Sequence, residues 1–227
     1  MVPRLVLPLA FGIVGTAILL SLGAWQVQRL AWKEAVLAQI DSRIADDPVP
    51  LPADPAPDAH GFLAVKTRGT ITGDELHVLA STRDLGAVYR VIAAFETEDG
   101  RRIMVDRGVI PTEEKNAPRA PVDVTLTGNL HWPEETDSFT PEADPEANIW
   151  FARDVPAMAR ALETEPVLIV VRETSQSDPA VTPLPVSSAG IPNDHLEYAV
   201  TWFGLAAVWV LMTVFYLRLM RSQTRKG

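Results

Sequence analysis

The sequence predicts an α+β membrane protein: two transmembrane helices flanking an extracytoplasmic, β-rich domain, barrel-like or strongly curved, with one helix of its own. Three observations predict it. Two long uncharged apolar runs lie at the ends of the 227-residue chain. Between them the pattern changes to short β-like runs separated by turn signals. Charge is segregated in the same way: all 29 Asp and Glu fall between Glu34 and Glu197, with only 13 of the 20 Lys and Arg. That middle region is therefore strongly acidic, although mean hydropathy over the chain is slightly positive.

The first apolar run carries no charge from Leu5 to Gln28. About 20 helical residues cross ~30 Å of hydrocarbon. The run is longer than the ~7–15 apolar residues of a secretory signal, so an uncleaved anchor is expected rather than a signal peptide ending near Gly23 and Ala24. Residues 1–33 form this first segment, and the helix is expected to continue from Trp25 to Ile44 as an amphipathic extension. Ala199 to Leu217 is the second uncharged run, within a helix over 193–217. The tail, 218–227, has four positive charges and no negative one, which predicts that it stays in the cytoplasm. With two spans, both termini are then cytoplasmic, and residues 34–192 lie in the periplasm. Arg29 and Lys33 on the outer side oppose this orientation, but the C-terminal cluster is the stronger.

Within 34–192, a proline-rich linker (Pro48, Pro50, Pro52, Pro55, Pro57) precedes six expected strands. These are Leu63–Ile71, Glu75–Ala80, Tyr89–Thr97, Arg101–Asp106, Val122–Leu130 and Val167–Arg172. Asp99-Gly100 reads as a two-residue hairpin turn. Asp154 to Thr164 reads as a helix, with Asp154 as N-cap and Pro156 in the first turn. Pro179 to Pro192 reads as a second linker.

Composition excludes several functions. There is no cysteine, so disulfides, thiolate metal sites and Cys nucleophiles are absent. The acidic middle argues against nucleic acid as a partner. No G-x-S-x-G, Walker A, Rossmann or H-E-x-x-H pattern occurs, and no enzyme is predicted. His60, His77 and His131 are scattered and read as packing or surface residues. Asp106-Arg107-Gly108 reads as a strand-end turn with a local ion pair.

The helix ends carry more. Trp25, Arg29 and Trp32 recur at i, i+4 and i+7 on the first helix. His195, Tyr198, Trp202, Trp209 and Tyr216 form a slowly drifting stripe on the second. In the expected topology Trp25 and Arg29 share the depth of His195 and Tyr198. Two readings stand at this point. Trp, Tyr and Arg anchor helices at membrane interfaces. Equally, an imidazole, a guanidinium and aromatic faces suit a flat, apolar, anionic ligand such as haem.

Three segments resemble a known family. Leu22-Gly23-Ala24-Trp25-Gln26-Val27-Gln28-Arg29-Leu30-Ala31-Trp32-Lys33 resembles the L-G-x-W-Q-x-x-R-x-x-W-K opening of the surfeit locus protein family. The run from Asn193 through His195, Tyr198 and Trp202 to Ala206 resembles its closing N-x-H-x-x-Y-A-x-T-W-F-x-L-A motif. Met104 to Pro111 resembles its V-N-R-G-W-V-P segment, with Asp106 in place of Asn and Val109 in place of Trp. The resemblance implies an assembly factor for haem–copper oxidases, chiefly cytochrome c oxidase, in an inner membrane. It implies help in bringing haem a to the catalytic subunit, with a haem a synthesis enzyme as a possible second partner. It also implies His195 as ligand to the haem iron; by residue type, Arg29 would then pair with a propionate and Trp25, Tyr198 and Trp202 would wall the ring. The other readings are a protein-only scaffold or accessory subunit of a respiratory complex and, less favoured, a membrane-anchored periplasmic enzyme.

Overall fold

A computed structural model describes residues 5–83 and 85–224 of the chain. It contains four α-helices, α1 (Val6–Ala45), α2 (Pro57–His60), α3 (Val155–Leu162) and α4 (His195–Thr224), and six strands. The strands are β1 (Val49–Pro50), β2 (Ala64–Thr82), β3 (Gly86–Thr97), β4 (Arg102–Pro111), β5 (Val122–Leu130) and β6 (Leu168–Thr174). The chain divides into two compact units, residues 40–188 and the two terminal segments 1–39 with 189–227.

The β unit is one mixed sheet in the order β1-β2-β3-β4-β6-β5, and β2 also pairs with β5. That extra pairing closes five strands into a small barrel, leaving β1 as a parallel appendage on β2. One long strand makes closure possible. The sequence suggests two strands separated by Thr72-Gly73-Asp74, but β2 runs through with a register shift between Ile71 and Glu75. Its first half pairs with β5, and its second half continues along β3. A bulge increases local twist and bends a strand, which lets β2 serve both neighbours.

Alternation along β3 and β4 divides the apolar residues between two faces. Ala93, Phe95, Ile103 and Val105 join Leu126 and Ile169 in the barrel interior. Ile92, Ala94, Met104 and Leu168 form the opposite face, covered by Val155, Met158, Ala159 and Leu162 of α3 and by Trp150. Each large side chain so buried contributes about 1.5–3 kcal/mol. Asp154 caps α3, its Oδ1 accepting from Ala157 N–H at 2.9 Å, with Pro156 in the first turn.

The β3–β4 hairpin differs from the sequence expectation. Gly100 N–H donates to Thr97 O at 2.9 Å, and Thr97 N–H donates to Arg101 O at 2.9 Å. Gly100 has φ +83°, while Asp99 is not among the positive-φ residues. The connection is therefore a three-residue loop with a left-handed glycine closing it, and not a two-residue turn with both central residues at positive φ.

The terminal helices form the other unit. α1 is uninterrupted for 40 residues, so the first apolar run continues as helix through Ile44, as expected. Both α1 and α4 are long and apolar enough to cross a membrane, and little of their apolar stretches is buried, unlike the core helix of a soluble protein. Small residues set their packing. A Cβ built on Gly12 would lie 2.3 Å from Thr213 Cγ2, one on Gly15 2.4 Å from Trp209 Nε1, and one on Gly23 2.7 Å from Phe203. The three glycines thus admit larger side chains of α4. Trp209 Nε1–H donates to Gly12 O at 3.1 Å, and its ring meets Phe11 at 5.3 Å. Interfacial anchoring does not explain a tryptophan at this depth; interhelical packing with a satisfied N–H does.

Candidate functional site at the mouth of the helix pair

The contacts Gly12–Thr213, Gly15–Trp209 and Gly23–Phe203 fix an antiparallel register for α1 and α4. Extrapolated outward, that register sets Gln26 and Arg29 near the depth of His195 and Tyr198. His195 begins α4 and is partly buried. Its Nδ1 lies 2.8 Å from Gln26 Oε1. Gln26 is only 8% exposed, a buried polar side chain in an apolar helix.

The other sequence-predicted residues are placed less centrally. Trp25 is 51% and Tyr198 55% exposed, while Trp202 is partly buried. Arg29 is exposed, its guanidinium 4.4 Å from the Trp32 ring centroid within the same helix. Relative to Gln26, Arg29 is rotated by about −60° and Trp25 by about −100°. Tyr198 is rotated by about −60° from His195. Because the helices are antiparallel, these rotations bring all three residues to the same side of the seam. His195 thus sits in the seam, with Arg29, Trp25 and Tyr198 along one flank and Trp202 about two turns deeper along α4.

Sequence reasoning missed Gln26. The available signal was its spacing from Gly12 and Gly23: all three lie on the buried stripe of α1. The helical period alone grouped residues within each helix and did not say which stripe faces the partner.

The chemistry of this donor set is compatible with an iron porphyrin. The His195 hydrogen bond uses Nδ1, so Nε2 remains for a ligand. Exposed aromatic faces and a guanidinium lie alongside. Among the described residues, no group of three His, Asp or Glu side chains could hold a bare metal ion.

The β unit holds a second concentration of polar groups, an ionic cluster. Asp106 is fully buried; its Oδ2 accepts from Arg90 Nε at 2.8 Å and from Arg153 Nη1 at 3.3 Å, and its Oδ1 accepts from Gly108 N–H at 3.1 Å. Arg153 also forks onto Glu135. Next to it, Glu75 binds Arg119 and His77, and Arg107 pairs with Asp178 at 3.0 Å. The expectation of a strand-end turn with a local ion pair is overturned here. Asp106-Arg107-Gly108 lies inside β4, at a bulge where Val91 faces Gly108 and Ile92 faces Asp106. Its ion-pair partners lie far away in sequence.

Burial would raise the Glu75 carboxyl, but hydrogen bonds from His77 and Arg119 and the Arg119 charge hold it below the ordinary carboxylate value. Glu135 is likewise held low by Arg153 against the effect of burial. His131 is pushed down to about 4, by burial first and then by the Arg153 charge. Folded His131 is therefore neutral between about pH 4 and 6.5, where the unfolded chain is protonated. Stability should rise with pH across that window and fall on acidification, by up to roughly 2–3 kcal/mol. His131→Gln should flatten this dependence in thermal melts at pH 4 to 7. An unchanged slope would locate its origin elsewhere.

The SURF1 family profile matches residues 13–207, from within α1 to within α4. Surfeit locus protein 1 of Homo sapiens is 34% identical over 212 residues, covering 82% of this chain and 70% of its own length. The protein of the same name in Rattus norvegicus is 32% identical over 211 residues, covering 82% and 68%. A SURF1-like protein of Rickettsia bellii is 29% identical over 222 residues, covering 91% and 89%.

Proposed function

Because the chain belongs to the SURF1 family, we propose that it is an assembly factor for a haem–copper oxidase of the cytochrome c oxidase type, and that it carries haem a toward the catalytic subunit. The observation that carries this reading is His195: an imidazole at the mouth of the helix pair, engaged through Nδ1, with Nε2 left for iron. Arg29 would meet a propionate in a charge-assisted contact, which requires it to leave Trp32. Trp25, Tyr198 and Trp202 would supply apolar area and stacking faces. One protein ligand suits a carrier, which must also release its cargo. The protein does no bond-making chemistry in this account; it binds, orients and hands over.

The test is to express the full chain beside a haem a synthesis pathway, purify it and record its optical spectrum. Wild type should carry haem. His195→Ala should lose most of it, by about tenfold or more if an axial ligand is worth at least 1.4 kcal/mol. Arg29→Ala should lose less, because ring burial and ligation remain. Full haem content with an unaltered spectrum in His195→Ala removes His195 as the ligand. Wild-type protein that never carries haem leaves the protein-only scaffold, a reading favoured by the Arg29–Trp32 contact within α1.

The proposal includes location: an inner membrane, both termini cytoplasmic and the β unit periplasmic, motivated by the positive C-terminal tail. Reporter fusions at Gly227 should behave as cytoplasmic, and those at Gly61 or Ala143 as periplasmic. A periplasmic signal at Gly227 reverses the orientation.

A further inference from the structure

We propose that Gln26 is the positioning residue of His195: its side-chain carbonyl accepts the Nδ1–H, fixing the tautomer in which Nε2 is the bare nitrogen. The ligand significance of this rests on the haem reading above; the hydrogen bond itself does not.

The distance of 2.8 Å is that of a well-formed bond. A neutral imidazole has one donor and one acceptor nitrogen, and the partner of one decides the chemistry of the other. An amide oxygen can only accept, so Nδ1 carries the proton and Nε2 keeps its lone pair. Placing the glutamine at the interface between two apolar helices has a cost, because a buried amide without partners is unfavourable by several kcal/mol in hydrocarbon. The His195 bond offsets that cost and holds the ring against rotation. Neighbouring positions of α1 could not do the same. Trp25 and Arg29 lie on the exposed surface of the helix, and Gly23, the buried residue one turn earlier, has no side chain. Ala199, buried one turn beyond His195, leaves room on the α4 side.

This division of labour is common at metal centres, where an outer partner fixes ligand tautomer and orientation, and its loss typically weakens metal affinity by about 10–100-fold. Gln26 touches the histidine and not the cargo, so it acts through His195.

The experiment uses the full chain in detergent micelles, labelled with 15N-histidine, without haem. The His195 resonances are assigned by their loss in His195→Ala. Wild type should show Nδ1 protonated and Nε2 bare. Gln26→Leu should shift the ring toward the Nε2–H tautomer favoured by free neutral imidazole. Gln26→Glu, which retains an acceptor at this position, should keep Nδ1–H. If Gln26→Leu fails to fold, wild type and Gln26→Glu still decide the matter: an Nε2–H tautomer in either overturns the proposal. The second arm adds haem a and reads binding by absorbance. Gln26→Leu should bind about tenfold more weakly than wild type, and Gln26→Glu should restore binding with a shifted Soret band. Wild-type affinity in Gln26→Leu overturns the positioning role. Nδ1–H in wild type, lost in Gln26→Leu, with no haem bound by any variant upholds the tautomer assignment and defeats the haem reading instead.

Discussion

Asp106→Leu should destabilise the β unit by about 3–5 kcal/mol, the usual cost of removing one partner from a buried ionic cluster. Asp106 has no exposed surface, and Arg90 is nearly as enclosed, with Nη2 2.7 Å from the carboxylate. Arg153 keeps Glu135 after the substitution, and Arg90 keeps Leu184 O at 3.1 Å. Neither loses every partner, yet Arg90 is left with a carbonyl and no carboxylate. Gly108 N–H also loses its acceptor. Asp106→Asn should cost less, about 1–3 kcal/mol, because Oδ1 can still accept from Gly108 while the charge disappears. Thermal melting of the full chain, followed in the near-ultraviolet, should place Asp106→Leu roughly 6–20 °C below wild type for a unit of this size. An asparagine variant that melts with wild type would mean that the Arg90–Asp106–Arg153 charges add nothing to stability.

The contrast between the two centres of interest explains what the sequence revealed. Strand runs such as Val122–Leu130 are legible because alternation is a local pattern. The N-cap Asp154 is legible because capping is settled within four residues. What joins distant segments is not local. The Thr72-Gly73-Asp74 bulge reads as a turn, since glycine followed by aspartate carries the same signal in both, and only the simultaneous pairing to β3 and β5 distinguishes them. Asp106-Arg107-Gly108 fails for the same reason. A glycine inside a strand pattern can end it or bulge it, and the partners that keep β4 going, Arg90 and Arg153, lie 16 and 47 residues away.

At the helix mouth, residue types point to His195, Arg29 and their aromatic neighbours. The pairing of His195 with Gln26 depends on which faces meet. That is decided some 20 Å away, where Gly12 and Gly15 admit Thr213 and Trp209 (about 1.5 Å per residue over 11–14 residues). Interhelical register is therefore a property of the whole seam, and a motif at one end does not contain it.

Gly108→Ala should be among the most damaging single-methyl additions in the β unit, at roughly 3–5 kcal/mol. Two terms combine. Gly108 has φ +118°, a region that L-residues enter only with about 1–3 kcal/mol of strain. A Cβ there would also lie 2.2 Å from Thr182 O and 2.7 Å from Pro183 Cα, backbone atoms that no rotamer change can move. The segment carrying Thr182 would have to lift away. It is held by two hydrogen bonds with Val109, each 2.8 Å, and each worth about 0.5–1.5 kcal/mol. Lifting it would also loosen Val181, which packs with Val91 and Ile110, and Asp178, which pairs with Arg107. Gly86 separates the two terms. It has φ +70° with no atom within 4 Å of an added Cβ, so Gly86→Ala bears the backbone strain without the collision and should cost only about 1–2 kcal/mol. Melts of the two variants should therefore differ by about 2 kcal/mol or more. Equal losses would mean that segment 181–183 yields freely to a methyl group, and that the tight approach to β4 contributes nothing to the fold.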